Sequence, residues 1–78
     1  MTAARKLVIR GRVQGVGYRD AMIDAARGEG VAGFVRNVRD GSVLAHLQGD
    51  DEAVARVIGW ASQGPPLARV GEVLVEAI

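Results

Sequence analysis

Three glycines fall within seven residues in Gly11-Arg12-Val13-Gln14-Gly15-Val16-Gly17, and Tyr18-Arg19 follows at once. That spacing suits the binding of a small anion. Glycine reaches backbone conformations with φ > 0, so Gly15 and Gly17 let an oxyanion approach main-chain N–H groups closely. Arg19 then offers a planar pair of donors to phosphate oxygens. Two nucleotide-binding patterns of similar appearance are excluded. A P-loop requires Gly-Lys-Ser/Thr where this chain has Gly17-Tyr18-Arg19, and a dinucleotide fingerprint requires a third glycine where it has Asp20.

The elements that must position these residues follow from pattern. Residues 5–11 read as a strand around Val8 and Ile9. Residues 11–17 are a loop, because so many glycines break either regular pattern. A helix fits from Tyr18 or Arg19 to about Gly28, with Ala21, Met22, Ala25 and Ala26 on one face. Asp20 falls in its first turn, where a carboxylate favours the helix dipole, and Gly28 or Gly30 can end it. A second strand is expected over 31–38 and a third, antiparallel to it, over 43–48, joined through Asp40-Gly41. Asp50 or Asp51 caps a second helix whose Val54, Val57, Ile58 and Ala61 share a face, and Gly64-Pro65-Pro66 stops it. The last strand is expected over 70–77, with Val73 and Val75 alternating against Glu72, Leu74 and Glu76.

The order β-α-β-β-α-β implies an α+β, ferredoxin-like sandwich: an antiparallel sheet with two helices on one face. A strand, a helix and a strand within one sheet make a crossover, so the first two strands run parallel. Their C-terminal ends and the N-terminus of the first helix then share one edge of the molecule. The glycine loop, Arg19 and Asn37 converge there, although Asn37 lies far along the sequence. A helix N-terminus adds unpaired N–H groups and partial positive charge to the same edge.

The composition narrows the setting. A chain of 78 residues is expected to form a single domain over 1–78. It has no Cys and one His, so apolar packing must supply the stability that disulfides or metals give many small domains. No apolar run approaches the roughly 20 residues that span a bilayer, and a soluble, cytoplasmic monomer without membrane contact is expected. The net charge of +1 conceals an asymmetry: residues 1–39 carry +5 and residues 40–78 carry −4. Such a positive half is either an ordinary solvated face or a field that gathers small anions. His46 lies in mid-strand with no second His or Cys, and Asp50-Asp51-Glu52 reads as a helix start, so no metal is expected at either. Trp60 reads as part of the core, on the second helix.

Beyond these local readings, Gly11-Arg12-Val13-Gln14-Gly15-Val16-Gly17-Tyr18-Arg19 resembles the signature of the acylphosphatase family, and Gly33-Phe34-Val35-Arg36-Asn37 resembles its second motif. The likeness continues through Asp40-Gly41, Gln48-Gly49 and Gly64-Pro65-Pro66-Leu67-Ala68-Arg69-Val70, and so covers nearly the whole chain. It departs at Phe34, where the family commonly has Trp, and at Tyr18, where Phe is commoner. The resemblance implies hydrolysis of acyl phosphates to carboxylate and inorganic phosphate, with no cofactor. It implies that Gln14, Gly15, Val16, Gly17 and Tyr18 supply a phosphate cradle, that Arg19 binds the phosphate, and that Asn37 positions the attacking water.

Two other classes suit the same fold. RNA-recognition domains share this element order and stack bases on aromatics of their central strands. Residues 5–11 and 43–48 contain no Phe, Tyr or Trp, so nucleic acid is not an expected partner. A non-catalytic anion-binding or regulatory module would use the same cradle, and the residues leave that alternative open.

Overall fold

Alternation along the first strand decides which face of the sheet is covered. Leu7 and Ile9 are fully buried, whereas Lys6 and Arg10 beside them are exposed. The structure, a computed structural model describing residues 1–78, runs β1 (Thr2–Arg12), α1 (Tyr18–Gly28), β2 (Ala32–Asn37), β3 (Val43–Asp50), α2 (Asp51–Ala61) and β4 (Arg69–Ala77). The sheet order is β2-β3-β1-β4, with every neighbouring pair antiparallel. β1 and β2 flank β3 without touching, and both oppose it, so they run parallel as the crossover requires. The architecture is the ferredoxin-like α+β sandwich expected from the element order.

Register places the second half of the site. Val43 lies opposite Ile9 on one side and opposite Asn37 on the other. Residues directly opposite across a ladder share a face of the sheet. Ile9 and Val43 are fully buried beneath the helices, so Asn37 belongs to the helix-covered face, at the end of β2. Phe34 and His46 are paired on the other face, their ring centroids 5.5 Å apart.

Three local outcomes differ from what pattern alone suggests. β1 starts at Thr2 and β3 continues to Asp50, because Thr2, Ala3 and Ala4 pair with Asp50, Gly49 and Gln48. Ala and Gly are poor strand formers, and the ladder overrides their weak preference. The hairpin after β2 has a three-residue loop, Arg39-Asp40-Gly41, closed by Gly41 N–H to the Val38 carbonyl at 3.0 Å and Val38 N–H to the Ser42 carbonyl at 2.8 Å. Asp40 braces it by accepting from the Ser42 hydroxyl at 2.6 Å and from the Ser42 amide at 2.9 Å. Those hydrogen bonds, the hydroxyl's first, hold the Asp40 carboxyl below its ordinary pKa. At the end of α1, Gly30 N–H returns to the Arg27 carbonyl and Val31 N–H to that of Ala26, the crossed pair that satisfies a helix C-terminus.

The third difference concerns Tyr18. It heads the apolar stripe of α1, with Met22 one turn on, and is only 1% exposed. Its ring lies 5.4 Å from that of Trp60, and its hydroxyl donates to the carbonyl of Ala61 at 2.8 Å. Burial pushes the Tyr18 pKa above its ordinary value of 10.0. Removing the hydroxyl leaves a buried helix-end carbonyl without its donor, a loss of roughly 1–2 kcal/mol. Tyr18→Phe is therefore expected to lower the urea midpoint without changing the slope, which equilibrium unfolding checks. The same hydroxyl gives stability a pH dependence. Below pH 10 the folded and unfolded chains both keep the proton; above it the unfolded chain sheds it first, so stability declines as pH rises. The Tyr18→Phe variant loses that contribution.

Candidate functional site

The segment between β1 and α1 has to turn sharply while leaving its amides open. Gly15 and Gly17 do so at φ +75° and +78°, the left-handed region that side chains with a Cβ avoid. A Cβ at either position would meet no protein atom within 4 Å. The glycines are thus not demanded by packing; they bend the chain and keep the space beside it clear. The amides of Gln14, Gly15, Val16 and Gly17 donate to no protein acceptor. The first bond of α1 runs from Ala21 N–H to the Gly17 carbonyl at 3.1 Å, so the amides of Tyr18, Arg19 and Asp20 lack the usual helical partner as well. A run of free donors at a helix N-terminus is an anion-binding arrangement.

Five residues of this segment, Gly15, Gly17, Tyr18, Arg19 and Asp20, line a polar cavity of about 290 Å³ together with Val13 and Asn37. α1 supplies Arg19 from its first turn, and the end of β2 supplies Asn37. Neither side chain hydrogen-bonds to another protein group, and Arg19 has no carboxylate within ion-pair distance. A guanidinium, a carboxamide and several amides, all unengaged, therefore share one small space. The geometry can surround a compact anion and hold a water molecule beside it.

Not every residue marked in the sequence reaches this cavity. Gln14 and Val16 do not line it: Gln14 turns its side chain to the carbonyls of Val38 and Ser42, and Val16 packs against the core. Val13 and Asp20 do line it. Val13 is an almost fully buried wall that no chemical pattern marks. Asp20 combines its place in the first turn with a carboxylate at the rim. A fixed negative charge there opposes a phosphate. Asp20→Asn is expected to tighten inhibition by inorganic phosphate about two- to fivefold at low ionic strength, and by less at high salt. Titration at two salt concentrations checks it, and unchanged inhibition at both would exclude Asp20 from the field at the anion.

The wider field is positive. Lys6 and Arg10 are offset by Glu76 at 3.9 Å and Glu72 at 3.7 Å. Arg12 at the end of β1, Arg36 near the end of β2 and Arg39 in the hairpin have no such partner. Of the basic residues in the N-terminal half, Arg19 alone lines the cavity, and the others add a diffuse positive field that favours the approach of anions. A larger groove of about 500 Å³ runs along α1 and β2 past Ile23, Ala26 and Val35, with apolar residues at seven of its ten positions. That lining does not suit a doubly charged anion. No helix in the chain is long and apolar enough to cross a membrane.

Comparison with known proteins identifies the family. The sequence model of the family described as Acylphosphatase matches residues 5–78. A protein of Thermococcus kodakarensis named acylphosphatase is 59% identical over 70 residues, covering 90% of this chain and 77% of the relative. Another of that name, from Thiobacillus denitrificans, is 57% identical over 67 residues, covering 86% and 75%. The solved structure of an acylphosphatase from Coxiella burnetii superposes with a TM-score of 0.95 at 28% identity, covering 99% of this chain and 81% of that one. The motifs, the fold and the likeness over almost the whole length agree, and the chain belongs to the acylphosphatase family.

Proposed function

We propose that the protein hydrolyses acyl phosphates, with the phosphoryl group seated against the amides of the Gly15–Arg19 turn, clamped by Arg19 and attacked by a water that Asn37 holds. One observation carries this reading: residues with unpartnered amides line the same 290 Å³ cavity as Arg19 and Asn37, whose side chains are also unpartnered.

Such a reaction asks little of the protein. Water oxygen forms a bond to phosphorus, the bond from phosphorus to the acyl oxygen breaks, and its electron pair leaves on a carboxylate. A carboxylate is a weak base and leaves without being protonated. The proton lost by the water passes to the phosphate product or to solvent. What remains is to align water with the phosphoryl group and to stabilise the charge on its equatorial oxygens. Preorganised amides and one arginine supply the charge stabilisation. Asn37 can accept a hydrogen bond from water and donate another, which fixes where its lone pair points. Gln14 and Val16 then serve the cradle through the shape of the turn.

The alternative is a module that binds the anion without turning it over. Phosphate release from a synthetic acyl phosphate, measured beside the binding of inorganic phosphate alone, separates the two. Release that saturates with substrate and is inhibited by phosphate is expected. Phosphate binding without any release above the spontaneous rate would establish the module instead.

A further inference from the structure

Gln14 stands between the two halves of the site without facing the cavity. Its side-chain nitrogen donates one hydrogen to the carbonyl of Val38 at 2.7 Å and the other to that of Ser42 at 2.9 Å. Those carbonyls lie at the neck of the hairpin, where Val38 N–H also bonds to Ser42; the next pair down the ladder is Asn37 opposite Val43. On the other side, Gln14 directly precedes Gly15, which borders the cavity. One side chain thus spans from the residue before the cradle to the residue after Asn37. No other hydrogen bond joins residues 13–17 to this hairpin.

Each half of the site is held by its own means. The turn is anchored through Tyr18 in the core, and β2 through its ladder to β3. Their relation to one another is less constrained, because β2 is an edge strand paired on one side only. We propose that Gln14 is a positioning residue: its carboxamide ties the end of β2 to the glycine turn and so keeps Asn37 in line with the phosphoryl group. This rests on the reading of Asn37 as the holder of the attacking water. In-line attack is sensitive to such placement, since a shift of about 1 Å can cost about 10²-fold in rate.

A double-mutant cycle tests it. Gln14→Leu removes both donors at similar bulk, and Gln14→Asn keeps the amide on a stem one methylene shorter. Both are expected to lower kcat by about 10- to 100-fold while KM and phosphate inhibition move by less than about threefold. In an Asn37→Ala background the same substitutions are expected to cost less than about threefold, since no carboxamide remains to be misplaced. If the leucine variant does not fold, the asparagine variant, which adds no apolar surface, supports the same comparison. Undiminished loss in the Asn37→Ala background overturns the proposal. Phosphate binding that weakens in step with kcat also overturns it, by assigning Gln14 to the cradle. Normal turnover in the Asn37→Ala single variant overturns the reading of Asn37, and the proposal with it, before any Gln14 substitution is made.

Discussion

Arg19→Ala is expected to hydrolyse an acyl phosphate about 10³-fold more slowly than the parent, by analogy with arginines in other phosphoryl-transfer sites. The size of the effect follows from how the side chain is held. Arg19 comes from the first turn of α1, borders the cavity and has no protein partner, so its donors are available to the ligand. In the proposed reading, substitution removes a charge and two parallel donors from the place where negative charge must be stabilised. The amides of the turn remain, and residual phosphate binding is expected with them. Arg19→Lys restores the charge without the fork, and recovery of only part of the lost rate is expected. Steady-state kinetics with a phosphate inhibition series reads both quantities. Turnover of Arg19→Ala within a few-fold of the parent would remove Arg19 from the mechanism.

The second large effect is expected at Asn37. Asn37→Ala should lower kcat by about 10²-fold, in the range seen when one preorganised group is removed from a transition state. Phosphate inhibition should change little. Asn37 lines the cavity from the end of β2, and in this reading it touches water rather than the phosphoryl oxygens. Asn37→Asp keeps an acceptor but adds a negative charge beside the anion, so it should lower kcat and raise KM together. That contrast separates a water-holding role from a phosphate-binding one. An alanine variant that loses phosphate affinity as steeply as turnover would place Asn37 among the phosphate ligands.

The stability predictions are smaller and concern the scaffold. Tyr18 connects the two kinds. Its backbone opens the helix at the cavity, and its side chain ties α1 to the end of α2. The ring alone is expected to preserve the packing against Trp60. The hydroxyl is an additional bond in this chain, and loss of stability rather than of fold is expected without it.

What the sequence by itself determined is what local chemistry encodes. Glycines 15 and 17 marked a tight turn, Arg19 a donor at a helix start, and Asp50 or Asp51 the cap of α2, a choice that the structure makes in favour of Asp50. Apolar spacing marked both helices, and the order of elements sufficed for the topology because crossover handedness and sheet pairing admit few arrangements. The edge where Arg19 and Asn37 meet followed from that topology alone. Tertiary structure decided the rest. That Gln14 turns to the hairpin rather than the cavity depends on carbonyls 24 and 28 residues away, and such partners leave no periodic trace. The length of β1 depends on its ladder with β3, which recruits Ala3 and Ala4 against their own weak preference. The burial of Tyr18 depends on Trp60 and Ala61, brought beside it only when α2 docks. Periodicity and turn chemistry act within a few residues of the chain. The identity of a hydrogen-bond partner across the fold is fixed only when packing brings the two segments together.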